Sequence, residues 1–95
     1  MDHLSAEELN VLYDAILSLE DREECRRLLS DLCTVRELSS MAQRLAVARH
    51  LKKGKTFTEI EEETGASSAT IARINRCLHY GSDGYSLVLD KLIGK

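Results

Sequence analysis

The sequence predicts an all-α chain, and three observations carry that prediction. There is no proline and there are only five glycines in 95 residues, so long stretches run without an interruption. Within those stretches apolar residues recur at helical spacing, and residues that cap helix N-termini stand at their heads. With 43% hydrophobic and 31% charged residues, the composition is that of a folded chain. The length suits one domain, so residues 1–95 read as a single helical domain.

The first helix is expected to start at Ser5, whose hydroxyl can accept from the amide of Glu8 while the Glu8 carboxylate reaches back and Leu4 staples onto Leu9. It should run to about Leu19, with Leu9, Leu12, Tyr13, Ile16 and Leu17 on one stripe that must be buried somewhere. Asp21 with Glu24 repeats the capping pattern and opens a short second helix, where Cys25, Leu28, Leu29, Leu32 and Cys33 share a face. Thr34 with Glu37 opens a third helix that continues through Lys53 and stops at Gly54. Its basic end, Arg49-His50-Leu51-Lys52-Lys53, suits the negative pole of a helix.

On the third helix Leu38, Met41, Leu45 and Ala48 lie along one side, and Val47 and Leu51 lie roughly opposite. A helix that is apolar nearly all round is predicted to be central. A chain this short buries a low fraction of its own surface, so a partner chain is the expected supplier of the remaining cover.

Thr58 reads as the opening of a brief fourth helix carrying Ile60, and Gly65 as its end. Ser67 caps a fifth helix reaching about Tyr80. A loop around Gly81-Ser82-Asp83-Gly84 then leads to a last helix within 84–93, with Leu87, Val88, Leu89, Leu92 and Ile93 available for packing.

Several functional classes find little support. No window of about 18 apolar residues occurs, and Met1-Asp2-His3 lacks the basic flank and apolar run of a secretory signal, so a cytoplasmic chain without a membrane partner is expected. Cys25, Cys33 and Cys77 are odd in number and form no C-x-x-C pair, which suits reduced thiols that fill the core. His3, His50 and His79 read as surface residues, with no acid and nucleophile arranged around them. Cys77 and His79 are too slight for a metal site, and no glycine loop could cradle a phosphate. The chain is not expected to be an enzyme or to hold a metal or cofactor.

The net charge of −3 is unfavourable for a nucleic-acid partner, but its distribution is uneven. Residues 1–31 hold nine acidic and three basic side chains, whereas residues 32–95 hold ten basic and seven acidic ones. The two parts are therefore expected to face different surroundings.

Residues 57–80 have the layout of a helix-turn-helix: a short helix, a glycine-containing turn and a longer helix. Ile71, Ile74 and Leu78 fall together on the inner face of the second helix, which leaves Ala69, Ala72, Arg73 and Arg76 on the outer one. Small side chains permit close approach, and no acid interrupts the two arginines. Alanines can touch thymine methyls, arginines can pair with guanine or phosphate, and Thr58, Ser67, Ser68 and Thr70 can bond to phosphates or base edges. The layout also fits a plain helical hairpin. The run Glu59, Glu61, Glu62 and Glu63 argues for that alternative, because a phosphate backbone repels it unless most of it points away.

The segment from about Leu32 to Leu78 resembles the tryptophan-repressor superfamily, and the whole chain, above all GKTFTEIEEETGASSATIARINRCLHYG, is similar to its YerC/YecD-like branch. Thr34, Arg44, Gly54 and Gly65-Ala66, followed by Ala69-Thr70-Ile71 and Arg73, carry the resemblance. It implies a six-helix chain forming an intertwined homodimer, with residues 1–53 as dimerisation helices, 57–80 as the helix-turn-helix and 84–93 as the C-terminal helix. It also implies a regulator, a repressor by the family's name, that binds double-stranded DNA.

By the same resemblance Thr34, Arg44 and Arg73 match positions lining an amino-acid corepressor pocket. Two positions depart from that pattern: Ile74 stands where a glycine leaves room beside the ligand, and Cys77 replaces a serine that would meet its amino group. An isoleucine there would fill part of the cavity or join the core, which argues against tryptophan. For Arg44 and Arg73 a salt bridge or a phosphate contact is the competing role. Two further functions stay open on the same fold, an acidic protein-interaction module and a small-ligand sensor.

Overall fold

The computed structural model describes residues 5–93. They form six helices and no strand: α1 (Ala6–Leu17), α2 (Arg22–Leu32), α3 (Val35–Lys52), α4 (Phe57–Thr64), α5 (Ser68–Tyr80) and α6 (Gly84–Ile93). The chain divides into two compact units, Met1–Leu38 and Ser39–Lys95. None of the described helices is long and apolar enough to cross a membrane.

In the first unit local capping sets the helix starts. Ser5 Oγ accepts from the Glu8 amide at 3.0 Å, but the Glu8 carboxylate does not return the bond, and Leu4 lies outside the described residues. α1 stops at Leu17, short of the expected Leu19, because the Ser18 amide turns back to Asp14 and Ala15 and its hydroxyl donates to the Ala15 carbonyl at 2.7 Å. At α2, Asp21 Oδ1 accepts from the Glu24 amide at 2.8 Å, while the Glu24 carboxylate reaches past Asp21 to the Glu20 amide at 2.9 Å. Thr34 and Glu37 form the full reciprocal box, at 3.0 and 2.8 Å.

No residue of α1 or α2 is buried. Leu17 is 80% exposed and Val11 63%, with Tyr13, Ile16, Leu32 and Val35 also open. The stripe that the periodicity requires to be covered is thus uncovered in one chain.

The second unit holds the core. Val47 and Ala48 of α3, Ile60 of α4, Ala66, Ile71 and Ile74 around α5, and Leu89 of α6 are buried together, with Leu51 and Tyr85 packed against them. Full burial of an isoleucine or leucine side chain stabilises by about 1.5–3 kcal/mol, so Ile60, Ile71 and Leu89 anchor three helices to one centre. α3 is less enclosed than expected: only Val47 and Ala48 are buried, and Met41 and Leu45 stay partly open. On α6, Leu89 is buried while Leu87, Val88 and Leu92 are exposed; the side chain of Ile93 lies outside the described residues.

The start of α4 corrects the sequence reading. Thr56, not Thr58, is the cap: its hydroxyl accepts from the Glu59 amide at 3.2 Å, and the Glu59 carboxylate accepts from the Thr56 amide at 2.9 Å. Thr58-x-x-Glu61 has the same spacing, but Thr58 is already the second residue of the helix that Phe57 begins, whereas Thr56-x-x-Glu59 closes both halves of the box ahead of it. Gly65 ends the helix at φ +75°, a left-handed conformation that glycine adopts at no steric cost. Gly81 ends α5 for a different reason: a Cβ there would sit 2.6 Å from the Cys77 carbonyl oxygen.

Candidate nucleic-acid interface

α4, the turn at Gly65-Ala66 and α5 form the helix-turn-helix, and α4 and α5 pack against each other. Polar side chains make the turn rigid. Thr64 Oγ1 donates to the Ile60 carbonyl at 2.7 Å and accepts from the Ala66 amide at 3.1 Å. From α3, Gln43 Nε2 donates to the Thr64 carbonyl at 3.1 Å. Ser67 Oγ then caps α5 by accepting from the Thr70 amide at 3.1 Å, and it donates to Thr70 Oγ1 at the same distance.

The two faces of α5 separate as the periodicity requires. Ile71 and Ile74 are buried and Leu78 is half-buried. Ser67, Ser68, Ala69, Ala72, Arg73 and Arg76 are exposed, Thr70 is half-buried, and Thr58 is exposed in the first turn of α4. Among the described residues neither Arg73 nor Arg76 makes an ion pair or a side-chain hydrogen bond, and the first turn of α5 contains no acid. The result is a surface of two guanidinium groups, unpaired among the described residues, beside methyl-sized neighbours, and the first turn of the same helix, at Ser68 to Thr70, presents amides with a partial positive charge.

The glutamates of α4 do not act as one block. Glu59 is consumed by the capping box, and Glu63 Oε1 accepts from Lys55 Nζ at 2.7 Å with His50 Nε2 3.5 Å away. The Lys55 hydrogen bond holds the Glu63 carboxyl below its ordinary value; partial burial opposes the shift, and the charges of Lys55, His50 and Lys53 add to it. Glu61 and Glu62 remain exposed and make no ion pair among the described residues. Half of the repulsive charge anticipated from the sequence is therefore engaged inside the protein.

This arrangement can be set against known proteins. The family model described as Trp repressor protein matches residues 7–93. The chain belongs to the Trp repressor family. Trp repressor-family proteins are DNA-binding regulators rather than enzymes. The protein YerC of Bacillus subtilis is 54% identical over 92 residues, covering 97% of this chain and 88% of that one. A crystal structure of a candidate Trp repressor from Staphylococcus aureus superposes with a TM-score of 0.90 at 48% identity, over 96% of this chain and 91% of that one. A TrpR-like protein from Eubacterium eligens gives 0.88 at 45% identity, over 92% and 90% of the two chains.

The three residues matched to the family's corepressor pocket occupy different settings. Thr34 belongs to the first unit, where it caps α3. In the second unit Arg44 is exposed with Nε 3.4 Å from the Ser40 carbonyl of its own helix, and Arg73 lies on the outer face of α5. Ile74 is 3% exposed and belongs to the core beside Ile71, which leaves no opening at its own position. A cavity of about 460 Å³ lies instead at the far end of α5, lined by Leu45, Cys77, Gly81, Ser82, Tyr85 and Val88 among others.

Two expectations need correction. The cysteines do not fill the core: Cys77 lies on an exposed part of α5, and Cys25 and Cys33 are half-buried at α2, where no residue is buried. His50 is not a surface residue; its side chain is 14% exposed and its Nδ1 is buried without a partner. His79 is exposed, with Nδ1 2.9 Å from the Asn75 carbonyl, and His3 lies outside the described residues. No metal-binding cluster occurs among the described residues.

Lys55 and Gln43 are not among the residues singled out from sequence, and His50 reads there only as a surface residue of a basic helix end. Only the Thr56-x-x-Glu59 spacing was there to be read. The other contacts join residues of different elements and have no local signal.

Proposed function

We propose that this chain is a sequence-specific transcriptional regulator, a repressor, that binds double-stranded DNA as a homodimer through α4 and α5. The observation that carries the reading is the outer face of α5, where Arg73 and Arg76 stand unpaired among the described residues beside Ala69 and Ala72. Alanines allow the helix to sit deep in a major groove, and guanidinium groups reach guanine edges or phosphates once it is there. Thr58, Ser67, Ser68 and Thr70 are the neighbouring hydroxyl donors, so they fix register on the backbone.

Dimerisation follows from the uncovered stripe of α1 and α2. Val11, Tyr13, Ile16 and Leu17 of α1 and Leu32 of α2 are exposed, and an apolar patch left open in this way marks an interaction surface. A second copy covers it, and residues 1–53 supply the seam. An amino-acid effector bound through Thr34, Arg44 and Arg73 would have to accommodate Ile74, so tryptophan itself is not part of the reading.

Electrophoretic retardation of genomic fragments at low and moderate salt tests the proposal. Retardation that weakens steeply with salt is expected. A chain that retards nothing at low salt would instead be an acidic interaction module presenting Glu61 and Glu62.

A further inference from the structure

Of the glutamates on α4, Glu63 is held unlike the others. Its Oε1 accepts from Lys55 Nζ at 2.7 Å and lies 3.5 Å from Nε2 of the half-buried His50. The Lys55 amide donates to the His50 carbonyl at 3.2 Å, so the connection between α3 and α4 folds back onto the last turn of α3. One carboxylate therefore links the end of α3, the connection and the last turn of α4. Among the described residues His50 Nδ1 has no hydrogen-bond partner, and Glu63 is the carboxylate that meets the other ring nitrogen. The next residue, Thr64, is held from the same helix by Gln43 at 3.1 Å.

Simple repulsion predicts that every carboxylate of α4 weakens DNA binding. That holds for Glu61 and Glu62, which have no partner among the described residues. At Glu63 two effects oppose each other. Removing its charge favours binding to any sequence, as at Glu61 and Glu62, and leaves the Lys55 ammonium, 2.7 Å away, without this partner. Removing it also loosens the last turn of α4 from the end of α3, and a reading helix must be held to within about 0.5 Å of its productive pose. The second effect is the larger.

Resting on the DNA-binding reading above, we propose that Glu63 is a positioning residue for DNA recognition, which sets the pose of the α4 and α5 pair through Lys55 and His50 without touching DNA.

The test compares two duplexes, the fragment that wild-type protein selects from a genomic library and a random one. Full-length wild type, Glu61→Gln, Glu62→Gln, Glu63→Gln and Lys55→Met are titrated at several salt concentrations. Glu61→Gln and Glu62→Gln should bind both duplexes at least as tightly as wild type. Glu63→Gln should lose about tenfold on the selected fragment, comparable to one lost base contact, and bind the random one at least as tightly as wild type. A lower folded fraction would weaken both equally, so the ratio separates positioning from stability. Lys55→Met should show the same selective loss with an unchanged salt slope, and the double variant should be no worse than either single one.

Glu63→Gln binding the selected fragment as tightly as Glu61→Gln overturns the proposal. So does a salt slope reduced by about one unit per chain in Lys55→Met, which would make Lys55 itself a phosphate contact. If Glu63→Gln fails to fold, Lys55→Met decides by the same two readings. Wild type that selects no fragment refutes the DNA-binding reading rather than the role of Glu63.

Discussion

Replacing Arg76 by alanine is the sharpest probe of the α5 surface. The side chain is exposed and makes no ion pair or side-chain hydrogen bond among the described residues, so its removal orphans no partner. The cost to folding should stay within about 0.5 kcal/mol. Binding should respond much more strongly, and the form of the response identifies the contact. Each phosphate contact contributes about 0.9 to the slope of log affinity against log salt, so two copies in a dimer remove about 1.8. Raising salt fourfold, from about 50 to 200 mM, would then weaken the variant about twelvefold less than wild type. If Arg76 pairs with guanine, about 1–3 kcal/mol is lost at one base position and discrimination there relaxes. Fluorescence anisotropy with a labelled selected duplex at three salt concentrations separates the two outcomes. Unchanged affinity together with an unchanged slope would refute the assignment of this face to DNA.

Three other predictions follow from the same geometry. Leu17→Glu places a charge in the open stripe of α1, so sedimentation should give twice the 10.7 kDa chain mass for wild type and the single mass for the variant; a monomeric wild type at micromolar concentration would sink the dimer. Thr56→Ala should cost about 1 kcal/mol in urea unfolding, with Thr58→Ala within about 0.5 kcal/mol, and equal losses would contradict the capping box at Thr56. Because the Glu63 carboxyl is held below its ordinary 4.5, its contribution to stability is complete above that value and disappears as pH falls through the lowered one. Unfolding midpoints measured from about pH 5 to 3 should therefore drop less in Glu63→Gln than in wild type, and parallel curves would remove the linkage.

The helices were legible because their starts are local. Asp21 with Glu24, Thr34 with Glu37, and Ser67 each satisfy helix amides within a few residues, so a short stretch of sequence contains the whole interaction. The missed start at Thr56 is also local, and its hydroxyl and the Glu59 carboxylate stand at the spacing that the other helices use. The division of α5 into Ile71 and Ile74 inside and Arg73 and Arg76 outside was legible for a similar reason: 100° per residue fixes which side chains share a face. That rule does not say which apolar face finds cover. Leu9, Leu12, Ile16 and Leu17 follow the same periodicity as the α5 core, yet none of them is buried.

By itself, then, the chain's order of residues determines six helices, their caps and the two-faced character of the fifth, since all of these depend on neighbours a turn or less away. Tertiary structure alone decides that Glu63 meets Lys55 and His50, that Gln43 reaches the turn at Thr64, and that Ile74 sits in the core. Those contacts exist because separate helices meet at one place, and the free energy that brings them there is the burial of Ile60, Ile71 and Leu89, to which no single stretch of sequence refers.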